Sequence, residues 1–271
     1  MKNILHIPSK KESLVTPGEL NLAKEIQLHL LPKIFPFPNK IEVGTLYQPA
    51  RQIGGDFYDA IQVDDRKAAF LIGDVSGHSV PAALFMTQCI TLLKALIKMD
   101  FSLLKIAETA NKILFDYAQA DMFATVFISI YDSQYHQLSF INAGHPPPLL
   151  LRSTWNSEDR AFHPVSLLKS EGIALNCFSK VTLEEKKIQL FNGDILLLYT
   201  DGLIEAANKE EKQFGEANLK ELLSQNKDLL SEEIAKKILL SLNDYTKGTS
   251  TELDDMAALV LKFRELKEEP T

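Results

Sequence analysis

Apolar positions along this chain recur with two different periods, and the change from one to the other falls near Pro36 and Pro38. Before the prolines, Leu20, Ala23, Ile26 or Gln27, Leu30 and Leu31 keep helical spacing between the breakers Pro17-Gly18 and Pro32. The spacing predicts an amphipathic helix over Glu19 to Leu31, packed on its own domain or turned with its apolar stripe toward a partner. From Ile41 the apolar runs become short and extended: Ile41 to Tyr47, Phe57 to Gln62, a turn at Asp64-Asp65, then Ala68 to Ile72. Pro81 suits the first turn of a helix reaching Ile97, apolar on more than one face. Leu103, Ile106, Ala110, Ile113 and Leu114 stripe a second helix over Ser102 to Tyr117. Strands resume at Thr125 to Tyr131 and Gln137 to Asn142, joined by the polar hairpin connection Asp132-Ser133-Gln134. Pro148 to Leu151, Val181 to Leu190, Ile195 to Tyr199 and Met256 to Phe263 are further strands. Helices are expected at Glu216 to Ser224 and at Ser231 to Tyr245, the latter opened by Ser231 as cap with Glu232 and Glu233 at the positive end of its dipole. Strands in short-turn groups with paired helices between them predict an α+β fold of antiparallel sheets covered by helices.

Composition narrows the class without changing this outline. With 271 residues, 45% of them apolar, the chain has material for one sizeable catalytic domain and a short extension. The expected division is an N-terminal extension over 1–38, a domain over 39–265 and a tail over 266–271. A net charge of -7 argues against nucleic acid or an anionic membrane as partner, since both favour a concentrated basic surface. Cys89 and Cys177 have neither metal-ligand nor disulfide spacing and read as free thiols. Met1 to Lys11 lacks the apolar core of a secretion signal, and no later run is expected to reach the ~18 apolar residues of a membrane helix. The expected location is the cytoplasm.

Aspartate is the residue that carries candidate chemistry. It recurs in Gly54-Gly55-Asp56-Phe57-Tyr58-Asp59, Gly73-Asp74-Val75-Ser76-Gly77-His78, Thr200-Asp201-Gly202 and Asp254-Asp255, each abutting an apolar strand. Any one of these would be an ordinary turn aspartate. Together they form a set of hard oxygen donors, and burying several carboxylates at once is costly unless cations compensate them.

The ordered segments 54–59, 73–78, Phe-Ala-Thr-Val-Phe (123–127), Asn-Ala-Gly-His-Pro-Pro-Pro (142–148), Tyr-Thr-Asp-Gly-Leu-Ile-Glu-Ala (199–206) and Asp-Asp-Met-Ala (254–257) closely resemble the SpoIIE/RsbU-like branch of the type 2C metal-dependent protein phosphatases. The resemblance spans roughly Ile41 to Phe263, and the helix ending Leu30-Leu31-Pro32 is similar to the linker helix of many members. It implies a four-layer αββα sandwich, two antiparallel sheets flanked by helices. It also implies two Mn²⁺ or Mg²⁺ ions between the sheets and hydrolysis of phosphoserine or phosphothreonine by a metal-activated water. By motif position Asp74 would bridge both ions and Val75 would lend its carbonyl. Asp56 would bind one ion, and Asp201 with Asp254, preferred over its neighbour Asp255, would complete the other. Arg51 stands where the family often carries a phosphate-gripping arginine. His78 is four residues beyond Asp74, whereas the broader family's catalytic histidine is two beyond, so a turn-stabilising role is expected. His145 is read as part of a structural loop, and Asp59 as ambiguous, with a supporting role beside the site as one reading.

Ser79, where the branch usually has glycine, and Ala257, where threonine commonly stands, depart from the pattern without removing a ligand. The implied substrate is a phosphorylated STAS-type antagonist of an anti-sigma factor. The expected input is an activating partner acting on the N-terminal helix or on the Val80 to Lys98 helix, or a second copy docking through the N-terminal helix. The competing readings are a metal-binding module that sequesters a partner without turnover, and a small-molecule phosphomonoesterase.

Overall fold

The structure is a computed structural model describing residues 16–77, 79–99, 101–118, 121–153, 165–250 and 253–264. The expected extension before Thr16, His78 and the tail after Arg264 lie outside the described residues.

Ten strands form two antiparallel sheets. The first contains β1 (Ile41–Gln48), β6 (Leu149–Leu151), β7 (Val165–Leu167), β9 (Ile195–Tyr199) and β10 (Met256–Phe263), in the spatial order β1-β10-β9-β6-β7. The second contains β2 (Phe57–Gln62), β3 (Lys67–Val75), β4 (Ala124–Asp132), β5 (Gln137–Ala143) and β8 (Glu185–Gln189), in sequential order. The sheets stack face to face, as the Tyr131 and Phe263 rings show at 5.0 Å between centroids. Helices α2 (Ser79–Ile97) and α3 (Leu103–Tyr117) cover the second sheet; α4 (Gly202–Glu205), α5 (Gly215–Gln225) and α6 (Ser231–Tyr245) cover the first. This is the expected αββα sandwich.

Burial on both faces explains why the central strands read as unbroken apolar runs. In β10, Ala257, Leu259, Leu261 and Phe263 point into the core between the sheets, while Met256, Ala258 and Val260 pack beneath α5 and α6. In β9, Leu196 and Leu198 take the first role and Ile195, Leu197 and Tyr199 the second. Two cores therefore share one strand pair.

Three sequence expectations need correction. The strand predicted over Val181 to Leu190 is confined to Glu185–Gln189, while β7 and α4 are too short to leave a periodic signal. Ser231 does not cap α6: Leu230 occupies the cap position, its N–H donates to Glu233 Oε2 at 3.0 Å, and Ser231 is buried with its hydroxyl donating to the Glu42 carbonyl at 3.1 Å. Finally, α2 is long and apolar enough to cross a membrane, at mean hydropathy 1.7. Its composition has a local reason, because Ala82, Phe85, Met86, Cys89, Ile90 and Leu93 are buried against the second sheet and the neighbouring helices.

Helix α1 (Pro17–Leu30) begins two residues before its expected start, because Thr16 and Glu19 form a capping box. It packs on α2. The ambiguity between Ile26 and Gln27 resolves toward Gln27, which is buried, leaving Leu22 and Ile26 exposed.

Candidate metal centre

The ends of β2, β3, β9 and β10 meet at one edge of the sandwich, and each delivers an aspartate. Asp56 immediately precedes β2, Asp74 is the penultimate residue of β3, Asp201 links β9 to α4, and Asp254-Asp255 lead into β10. Antiparallel pairing sets Phe57 opposite Gly73 in one sheet and Tyr199 opposite Ala258 in the other, so residues remote in sequence become neighbours in space.

The tight unit is the pair Asp56 and Asp74, whose side chains are within hydrogen-bond reach of each other. Burial, then the charge of Asp74, pushes the Asp56 carboxyl well above the usual range. Burial, then the charges of Asp201 and Asp254, pushes Asp74 up to about 7. Burial, followed by Glu205 and Asp254, raises Asp201. Among the described residues no cationic side chain forms an ion pair with these three. Adjacent buried carboxylates need a shared proton or a cation between them. The set also lacks any closely gathered triad of His, Cys, Asp or Glu among the described residues. A sparse, all-oxygen carboxylate set of this kind fits Mn²⁺ or Mg²⁺, which keep waters to complete their shells, better than a softer metal held by a protein cage.

The paired aspartates of the last motif do different things. Asp255 is buried, and its two oxygens accept from the N–H groups of Ala50 at 2.7 Å and Gly55 at 2.6 Å, which folds the 50–55 loop against β10. A Cβ at Gly54 would collide with that carboxylate. One at Gly55 would lie 2.9 Å from the Val75 carbonyl, so the missing side chain keeps that oxygen accessible. Asp254 is exposed on the same rim, and its charge reaches both Asp74 and Asp201.

Arg51 shares a cleft of about 220 Å³ with Ser79, Asp254 and Asp255. Its Nη1 donates to Ser79 Oγ at 2.9 Å, and Ser79 has φ +66°, the left-handed conformation in which glycine is ordinarily preferred. The departure at position 79 thus exchanges backbone ease for a grip on the arginine. A larger cleft of about 540 Å³ lies along α3 and contains none of the aspartates.

Several supporting residues left little trace in the sequence. Thr200 donates its hydroxyl proton to Asp56 Oδ2 at 2.6 Å and accepts from the Ala257 N–H at 2.9 Å. Position 257 therefore acts through its backbone, while its side chain packs between the sheets, so alanine preserves this contact. Asp59 is buried and bonded to Lys94 at 3.3 Å, and Lys94 also donates to the Leu30 carbonyl at the end of α1. Gln27 donates to the Gly54 carbonyl at 2.6 Å and accepts from the Gly54 N–H at 3.2 Å, tying α1 to the turn that presents Asp56. A polar residue inside an apolar stripe was the available signal. Replacing Gln27 with leucine keeps the volume but strands both Gly54 groups, and should lower stability by about 1–3 kcal/mol in urea unfolding. An unchanged midpoint and slope would show that these bonds contribute nothing in solution.

The sequence model of the Stage II sporulation protein E (SpoIIE) family matches residues 64–264. Protein IcfG of Synechocystis sp. is 30% identical over 235 residues, covering 77% of this chain and 36% of that protein, so the chain spans about a third of that relative's length. Phosphoserine phosphatase RsbU of Bacillus subtilis is 26% identical, covering 90% of this chain and 70% of that protein. Among solved structures, the SiaA-PP2C domain of Pseudomonas aeruginosa superposes with a TM-score of 0.75 at 21% identity, over 91% of this chain and 96% of that one.

Proposed function

This chain belongs to the SpoIIE family, and from that premise we propose that it is a divalent-metal-dependent protein phosphatase acting on phosphoserine or phosphothreonine. The observation that carries the reading is the adjacent pair of buried Asp56 and half-buried Asp74, flanked by Asp201 and Asp254, both pushed above the usual carboxylate range by burial and by neighbouring carboxylate charges. Asp56, Asp74, Asp201, Asp254 and the Val75 carbonyl are the groups that would hold two Mn²⁺ or Mg²⁺ ions. When bound, such a pair lowers the pKa of a water and neutralises phosphoryl oxygens.

The chain's own residues supply orientation. Thr200 directs one Asp56 oxygen, Asp255 closes the 50–55 loop, and Arg51, steadied by Ser79, turns a guanidinium fork toward the cleft beside Asp254. A fork of that kind matches the oxygens of a phosphate ester. As the family resemblance implies, the substrate is a phosphorylated regulatory protein of the STAS type. A partner or a second copy pressing on the exposed Leu22 and Ile26 face of α1 would reach the Gly54–Asp56 turn through Gln27, which makes α1 the proposed input.

The test is phosphate release from a phosphoserine STAS-type protein with Mn²⁺ and with EDTA, beside a small aryl phosphate. Metal-dependent release from the protein is the expected result, and Arg51→Ala should lower its kcat/KM by ~10–100-fold, the range of a charge-assisted phosphate contact. Metal binding without turnover would replace the reading with that of a sequestering module. Turnover of the small ester alone would make the chain a phosphomonoesterase.

A further inference from the structure

The loop after β5 is built to bury one imidazole. Asn142 Nδ2 donates to the His145 carbonyl at 2.8 Å, and the His145 N–H donates back to Asn142 Oδ1 at 2.7 Å. Between them Gly144 takes φ +75°, and a Cβ there would lie only 3.1 Å from the Ala174 nitrogen. Asparagine, glycine and histidine in this spacing therefore each have a structural reason. The result is a histidine 4% exposed.

Its two ring nitrogens meet different elements. Nε2 is 3.1 Å from the Tyr199 carbonyl, which can only accept, so Nε2 carries a proton. Nδ1 is 3.0 Å from Thr125 Oγ1. Burial holds the ring's pKa down to about 4, so the imidazole is neutral and Nδ1 has a lone pair to receive the threonine proton. A hydroxyl has one proton, and this bond uses it. The Asp74 carbonyl, 3.5 Å from the same hydroxyl, is left without it. Thr125 stands directly opposite Asp74 in the β3–β4 register, so both side chains lie on the same face of the sheet. Tyr199 directly precedes Thr200 and Asp201.

We infer that His145 and Thr125 are a positioning pair: they fix the spacing between the strands carrying Asp74 and Asp201, and they leave Thr125 Oγ1 able only to accept a hydrogen bond beside Asp74. The chain of bonds runs from Thr125 through the imidazole to Tyr199, crossing from one sheet to the other. A water in the site meets an acceptor at Thr125 and is oriented by it. This rests on the reading of the aspartates as a metal centre, and deepens it.

The test combines a spectroscopic readout with metal affinity. Long-range ¹H–¹⁵N spectra of the histidine-labelled chain should show His145 as the Nε2–H tautomer at neutral pH, unchanged on lowering the pH to about 5, well below the ordinary histidine midpoint. Thr125→Val removes the hydroxyl at constant shape and should weaken Mn²⁺ binding, measured by calorimetry, by ~10–100-fold, while Thr125→Ser restores it. His145→Leu should cause a similar loss, with the double variant no worse than either single one. An Nδ1–H tautomer, or Thr125→Val binding Mn²⁺ as tightly as the unaltered chain, would overturn the pair and leave the phosphatase reading in place. Tight Mn²⁺ binding lost in Thr125→Val, with no phosphoester hydrolysed by the unaltered chain, would support the pair and remove the phosphatase reading. An unaltered chain that binds no Mn²⁺ would overturn both.

Discussion

Asp74→Asn should lower metal-dependent kcat/KM by ~10³-fold or more, a loss of roughly 4 kcal/mol of transition-state stabilisation. The residue is the centre of the charge cluster, raised by burial and by Asp201 and Asp254, and its side chain reaches Asp56. An amide keeps the shape but lacks the charge that attracts a divalent cation. The same substitution should have the opposite effect on the metal-free protein. At about pH 7.5 it removes a charge from a group that repels itself, and each kcal/mol so gained raises the melting temperature by ~2–4 °C in a chain near this size. Loss of activity together with greater metal-free stability separates a functional carboxylate from a structural one, whose removal would lower both. Turnover within tenfold of the unaltered chain would exclude Asp74 from the site.

The second large effect is on stability against pH. Asp56, Asp74 and Asp201 have folded-state pKa values above their ordinary values, so from the ordinary carboxylate range up through these raised values, about 7 for Asp74, the folded chain holds more protons than the unfolded one. Stability then falls as pH rises through those values, and the full penalty is reached only where all three carboxylates are ionised. His145 acts in the opposite sense: its pKa is lowered from 6.5 to about 4, so its contribution rises over that interval and is complete above it. The aspartates are therefore seen without opposition from about pH 6.5 to about pH 8. In EDTA the melting temperature should fall across this interval. Saturating Mn²⁺ should abolish the slope and add stability, about 2.7 kcal/mol at a hundredfold excess over Kd. Scanning calorimetry at the two pH values, with chelator and with metal, reads both effects. A chelated protein whose stability is flat or rising over the interval would contradict the charge cluster.

Much of the fold was legible because the central elements are long and strongly patterned. The strands Phe57–Gln62, Ile195–Tyr199 and Met256–Phe263, and helix Ser231–Tyr245, occupy their predicted ranges. What failed was local. Ser231 has the residue type of a cap but is drawn into a bond with Glu42 on β1, a strand remote in sequence. Helix α2 has the composition of a membrane span because it covers a sheet that is buried on both faces.

Residue pattern alone places glycine-flanked aspartates at the ends of apolar strands and sets six motifs in the order of the phosphatase branch. It carried no sign of which carboxylates share a proton, because that depends on strand ends brought together by the stacking of two sheets. Only the tertiary structure separated Asp255, spent on the N–H groups of Ala50 and Gly55, from exposed Asp254. Only it placed Thr200 on Asp56, Gln27 on Gly54, and His145 between Thr125 and Tyr199. The reason is physical: residue type and period report burial along one element, whereas hydrogen bonds and charge repulsion act over a few ångströms between elements whose proximity is set by packing.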